Sequence, residues 1–167
     1  MTPRWLPWAA AGVGVAAVVY IVARPRGYSY GGAPLRAGVD RDPAHLLPEF
    51  ADKLERVFRR MRARGFHPLL WEGYRTPERA AQEAREGDGV VKSLHTYGVA
   101  ADVVDESTAP RYWDGTPGFW TALGEETERE GLTWGGRFTR KDADHVQLVP
   151  PREQYAFFQS HQQLAYG

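Results

Sequence analysis

The run VAADVV, residues 99–104, reads as a buried β-strand with one exception, Asp102, and that exception constrains the chain more than any other feature. A carboxylate flanked by Val99, Ala100, Ala101, Val103 and Val104 costs several kcal/mol to desolvate unless a cation meets it. For a lone aspartate, an arginine partner is the plain answer. Asp102 is not alone. His95 lies just upstream on a glycine-containing approach to the strand, and His145 opens a further apolar run, DHVQLV at 144–149. Two imidazoles and a carboxylate at the edges of adjacent strands have the composition of a catalytic zinc site, which keeps three protein ligands and one position for water. The chain contains no cysteine. Disulfides, thiolate zinc sites and cysteine nucleophiles are therefore excluded together, and any metal has to be held by histidine and carboxylate. His45 in a polar loop before a helix, His67 among apolar neighbours on the first strand and His161 on the terminal helix need no special role and are expected to be structural.

The surroundings of these residues predict an α+β domain. Pro48 starts a helix with Phe50, Leu54, Val57, Phe58 and Met61 on one face and Gly65 as its stop. FHPLLWEGYR at 66–75 predicts a strand, and Thr76 with Pro77 caps and opens a helix running to about Glu86. VAADVV is a second strand, Thr116 and Pro117 open a helix ending near Gly131, and DHVQLV is a third strand. Pro150 and Pro151 lead into a terminal amphipathic helix. The expectation is a small antiparallel sheet with flanking helices and the zinc site at the sheet.

Ahead of this domain, WLPWAAAGVGVAAVVYIVA, from Trp5 to Ala23, is uncharged and about one bilayer crossing long, with Trp5, Trp8 and Tyr20 near its ends. It predicts an N-terminal transmembrane helix over 1–23, a linker rich in Gly, Pro and Arg over 24–41, and a catalytic domain over 42–167. A cleaved signal peptide is the alternative, but no clear A-x-A site precedes Arg24. Arg24 and Arg26 slightly outweigh Arg4 and the α-amine, which by the positive-inside rule favours a cytoplasmic domain. At 167 residues and 43% hydrophobic content the chain is long enough for one domain with a real core. Its 21 basic and 21 acidic residues balance, so nothing in the overall field points to a nucleic-acid partner. A monomer is expected.

Four motifs carry a resemblance. GYR at 73–75, S-x-H-x-x-G-x-A-x-D at 93–102, LTWGGRF at 132–138 and D-x-x-H at 142–145 follow one another in an order that resembles a family of zinc peptidases. That family comprises D-alanyl-D-alanine carboxypeptidases, D,D-dipeptidases of vancomycin resistance and phage L-alanyl-D-glutamate endopeptidases, and the resemblance spans roughly 46–149. It implies that His95, Asp102 and His145 hold Zn2+, that Asp142 is the general base, and that Arg75 steadies an oxyanion or a substrate carboxylate. Arg137 departs from the pattern, because the endopeptidases have an acidic residue after W-G-G. The residues themselves leave two points open. In a regular strand both Asp142 and Asp144 would face away from His145, so Asp142 reaches the metal only if the chain turns before the strand begins; Gly135, Gly136 and the polar run RKDAD favour such a turn, with Asp144 solvated or supporting. Arg75 can equally pair with Glu72 or Glu78. Trp71, Trp113, Trp120 and Trp134 can line a cleft or fill the core.

The resemblance implies a peptidase of the peptidoglycan stem peptide, with the L-alanyl-D-glutamate bond as first choice. A D-alanyl-D-alanine carboxypeptidase or dipeptidase shares every catalytic residue, and an inactive, metal-bearing wall-binding module is the rival from another class. Such a substrate lies outside the cytoplasmic membrane. The expected arrangement is therefore a single-pass protein with an extracytoplasmic catalytic domain, against the weak charge bias.

Overall fold

A computed structural model describes residues 39–161 except Asp88 and Val91. The expected transmembrane segment and residues 24–38 of the expected linker lie outside the described residues. Among the described residues no helix is long and apolar enough to cross a membrane.

Helix α1, Pro48–Ala63, begins on a proline at its first position, where a backbone N–H would have no helical partner. Its apolar residues recur at helical spacing, and Phe50, Leu54, Val57, Phe58 and Met61 are all buried. The chain reverses at Gly65, whose φ of +86° suits glycine, and enters strand β1, Pro68–Glu72. Helix α2, Pro77–Glu86, is capped by the Thr76 hydroxyl, which accepts from the Arg79 N–H, and stops at a left-handed Gly87. A 3-10 turn, Leu94–Tyr97, leads into strand β2, Ala100–Asp105. Helix α3, Phe119–Arg129, strands β3, Thr133–Trp134, and β4, His145–Gln147, and helix α4, Gln154–Ser160, complete the order.

The sheet is antiparallel throughout, with order β1-β2-β4-β3. Along β2 the side chains alternate. Ala101 and Val103 join Leu70, Val146 and the apolar faces of α1 and α3 in the main core. Ala100 lies on the other face, in a smaller cluster with Leu94, Val99 and Val149, against which Phe157 and Phe158 of α4 pack. Asp102 falls on this second face. The carboxylate therefore points away from the main core, which is how a strand otherwise made of alanine and valine accommodates it.

Two expectations need correction. Three strands were anticipated, but the sheet has a fourth, β3, whose two residues are too few to show an alternating pattern and which exists because Thr133 and Trp134 pair with Gln147 and Val146. The helix expected to open at Thr116 and Pro117 starts at Phe119 instead. Thr116 is engaged elsewhere: its N–H and its hydroxyl both donate to Asp105 Oδ2, at 2.9 and 2.7 Å. That buried carboxylate also accepts from the Ser107 N–H and hydroxyl through Oδ1, so the loop after β2 is folded around Asp105 and the helix begins only beyond it.

A candidate metal centre at the sheet

Asp102 and His145 are direct partners in the register of β2 and β4. His95 comes from the 3-10 turn before β2, where the Ser93 hydroxyl accepts from the His95 N–H and Gly98 closes the turn at φ +64°. A Cβ on Gly98 would lie 2.7 Å from the His45 carbonyl oxygen, so a side chain there would push the turn off its neighbour. The result is convergence: His95 Nε2 is 3.4 Å and His145 Nδ1 is 3.1 Å from Asp102 Oδ1. Ligand atoms of all three residues lie within 4.8 Å of one another.

The far side of each imidazole establishes what the near side offers. His95 Nδ1 is 2.7 Å from the Gly73 carbonyl oxygen and His145 Nε2 is 3.0 Å from Gln147 Oε1. Both oxygens only accept, so each of these nitrogens carries a proton, and the nitrogens facing Asp102 are the ones that share a proton with its carboxylate in the metal-free protein and are free to give a lone pair to a metal. Two imidazole nitrogens and a carboxylate oxygen thus face one point, where positive charge, carried by protons or by a metal ion, has to sit between them. The same demand appears in the titration of the metal-free protein. Burial pushes the Asp102 carboxyl up, but the His95 and His145 imidazoles outweigh it and hold it far below the usual carboxylate range. Burial pushes the His145 imidazole down, and the hydrogen bond and charge of Asp102 outweigh that and raise it. Nitrogen and oxygen donors in a set of three, with no thiolate, fit zinc with a position left for water.

These groups open onto a cavity of about 540 Å³, which Arg75, Phe138, Asp142 and Asp144 also line and at which Arg140 and Lys141 stand. The turn anticipated before β4 is present, and W-G-G builds it. A Cβ on Gly135 would lie 2.3 Å from the Asp142 carbonyl oxygen, and one on Gly136 2.3 Å from the Trp134 ring. With glycine at both positions the chain folds back, Asp142 N–H donates to Gly135 O, and Trp134 Nε1 donates to Ala143 O at 2.7 Å. Because β4 begins only at His145, strand alternation does not govern 142–144, and both Asp142 and Asp144 reach the cavity.

Asp144 is not simply solvated. Trp113 Nε1 donates to its Oδ2 at 2.7 Å, while burial first, then the Asp102 charge and the neighbouring Asp142 carboxyl, push it up to about 7. Arg75 lines the cavity but is already engaged. Its guanidinium lies 2.5 Å from Glu72, 2.7 Å from Glu83 and 3.7 Å from Asp102 Oδ2. Arg79 bridges the same two glutamates, at 2.7 Å each. Of the two partners anticipated for Arg75, Glu72 is used. Glu83, one helical turn beyond Arg79, takes the place foreseen for Glu78, because the i, i+4 pair of α2 faces β1. The signal for this lattice was the spacing of Glu72, Arg75, Arg79 and Glu83 at three or four residues.

Gln147 was the other residue not foreseen, although the H-x-Q spacing at 145–147 places both side chains on one strand face. Arg137, where the motif departs from the endopeptidases, pairs with Glu128 at 2.9 Å and lies over Trp134. It is not among the residues lining the cavity. Nor is any of the four tryptophans: Trp120 and Trp134 pack on the core, Trp71 lies under Arg41, and Trp113 holds Asp144. His45, His67 and His161 take no part in the cluster.

Comparison with known proteins agrees with this construction. Residues 86–148 match the family described as D-alanyl-D-alanine carboxypeptidase. That stretch contains His95, Asp102, Asp142, Asp144 and His145. No curated protein sequence matches the chain. Among solved structures, the L-Ala D-Glu endopeptidase ChiX of Serratia marcescens superposes with a TM-score of 0.53 at 23% identity, over 75% of this chain and 90% of that one. The LD-carboxypeptidase LdcB gives 0.50 at 14% identity, over 72% and 66%. VanY, a vancomycin-resistance D,D-pentapeptidase solved in complex with Zn(II), gives 0.48 at 17% identity, over 68% and 78%. At such identities the superpositions with ChiX and LdcB show the fold alone, and the match over 86–148 adds that the segment building this site resembles the D-alanyl-D-alanine carboxypeptidase family, with a donor set that fits zinc.

Proposed function

We propose that the chain hydrolyses the stem peptide of peptidoglycan between L-alanine and D-glutamate. The observation that carries the reading is the convergence of His95 Nε2, Asp102 Oδ1 and His145 Nδ1 on one point, in a cavity that two further carboxylates share. The likeness in fold to an L-Ala D-Glu endopeptidase over 90% of that protein supports the choice of bond. The chemistry a bound zinc supplies is the acidification of water towards a pKa of about 7 and polarisation of the scissile carbonyl. The chain's residues do the rest. Asp142 is the general base, taking the proton from the attacking water and returning it to the departing amine. Asp144, held by Trp113, stands beside Asp142 at the same cavity. Arg75, braced by Glu72 and Glu83, is the fixed positive charge that steadies the developing oxyanion.

Carboxypeptidase action on a terminal D-alanine is the second reading. It is favoured by the matched family and by Arg140 and Lys141 at the cavity, where a terminal carboxylate would find cations. Purified peptidoglycan digested with the protein decides between them by mass spectrometry. New D-glutamyl amino termini are expected, release of free D-alanine would replace the endopeptidase with the carboxypeptidase, and no product at all would leave a wall-binding module. Either substrate requires the catalytic domain to face the wall, tethered through residues 1–23. A reporter active only outside the cytoplasm, fused after Gly167, should therefore give signal.

A further inference from the structure

Gln147 is almost fully buried, at 1% exposure, on a strand that delivers a metal-site histidine. It follows His145 by two residues, so both side chains leave β4 on the same face. A carboxamide has a donating end and an accepting end, and here only one orientation satisfies both neighbours. The Val149 carbonyl oxygen can only accept, so the Gln147 amide nitrogen donates to it. Gln147 Oε1 is thereby turned onto His145 Nε2, at 3.0 Å. An oxygen in that position keeps a proton on Nε2 and makes Nδ1, beside Asp102 Oδ1, the nitrogen that can give its lone pair to a metal at the convergence point. His95 is held the same way from the other side by a backbone carbonyl, that of Gly73. His145 alone depends on a side chain, and so on a residue that mutation can remove.

We infer that Gln147 is a positioning residue of the metal centre: clamped on Val149, its carboxamide sets the ring orientation and the tautomer of His145, so that zinc affinity depends on a side chain that does not touch the metal. The inference rests on the zinc reading of the site and is independent of which peptide bond is cut. It differs from a packing role, because a buried residue that only fills space can be exchanged for another of its volume with no change in the histidine.

The test compares wild type with Gln147→Met, which keeps the volume and removes the acceptor, and Gln147→Glu, which restores an acceptor. In competition with a chromophoric chelator, Gln147→Met should bind zinc about 10- to 100-fold more weakly, the usual scale for losing a partner behind a metal ligand. Gln147→Glu should lie closer to wild type. In zinc-loaded wild type, nitrogen-15 NMR of the histidines should show the His145 proton on Nε2, and in Gln147→Met that proton should exchange faster with water. Wild-type zinc affinity in a folded Gln147→Met would overturn the inference, as would a His145 proton on Nδ1 in wild type. The second measurement stands even if the variant fails to fold. A wild-type protein that takes up no zinc would overturn both this inference and the proposed function, whereas tight zinc binding without peptidoglycan cleavage would count against the proposed function alone.

Discussion

Asp102 explains at the scale of single residues why the site sits where it does. Two imidazole nitrogens face its Oδ1, and removing any of the three donors leaves a set too poor to hold the metal. His95→Ala, Asp102→Ala and His145→Ala should each be purified without stoichiometric zinc by elemental analysis; retention of zinc in one of them would strike that residue from the ligand set. Asp142→Ala should keep its zinc and lose turnover by roughly 10²-fold or more, the scale of a lost general base. Asp144 lines the same cavity, so Asp144→Ala is the necessary partner experiment. Should that variant be the inactive one while Asp142→Ala cleaves normally, the roles given to the two carboxylates are exchanged. The donor set was legible in the sequence because a charge inside an apolar strand has few explanations. The choice of imidazole nitrogen was not, since it depends on Gly73 and Gln147, which fold onto the rings from other parts of the sheet.

Between elements, the seam of α1 and α3 is held by charge as well as by apolar packing. Arg60 reaches Glu126 at 2.7 Å and Glu130 at 2.6 Å, Arg56 reaches Glu130 and Arg64 reaches Glu126. Glu126 is 2% exposed. Burial pushes its carboxyl up, but the hydrogen bonds from Arg60 and Arg64 outweigh this and leave it below the ordinary glutamate value; Glu130 is lowered likewise through Arg56 and Arg60. A carboxyl depressed in the folded state contributes stability that is fully present above its unfolded value of about 4.3 and is lost as the pH falls through the folded value. Urea unfolding with chelator present, so that zinc release plays no part, should therefore show a midpoint that declines on acidification below about pH 4.5. Glu126→Gln should lower the unfolding free energy at pH 7 by about 1–3 kcal/mol, the cost of leaving buried partners unmatched, and should flatten the acid decline. An unchanged acid profile in that variant would show that the seam is not what titrates. The apolar half of this seam was legible in the spacing of Phe50, Leu54, Val57, Phe58 and Met61; its ionic half joins residues 62 to 74 positions apart, a separation at which no local pattern pairs them.

For the molecule as a whole, the three donors come from three elements: the turn before β2, β2 itself and β4. A ligand that binds only the folded form raises its stability by about 2.7 kcal/mol when present at a hundred times its dissociation constant. Zinc should therefore raise the thermal midpoint and excess chelator lower it, read by differential scanning calorimetry, and His95→Ala should show no response to either. A midpoint indifferent to zinc in wild type would mean that the donors are not held together in solution. Elements outside the site depend on distant partners in the same way. Strand β3 and the late start of α3 both depend on partners supplied from a distance: β4 for Thr133 and Trp134, and the Asp105 carboxylate for Thr116.

By itself the sequence determined the α+β character, the burial pattern of α1, the capped start of α2 and the identity of the His95, Asp102 and His145 cluster. Each is written within a short window, as a periodicity, a cap, or a charge out of keeping with its neighbours. Only the tertiary structure decided that Asp144 joins Asp142 at the cavity, that Arg75 is braced by Glu83 instead of Glu78, that Arg137 turns away to Glu128, and that Gln147 stands behind His145. Those outcomes depend on which side chains the W-G-G fold-back and the β2–β4 register bring within hydrogen-bonding reach, and hydrogen bonds act over about 3 Å of space whatever the distance along the chain.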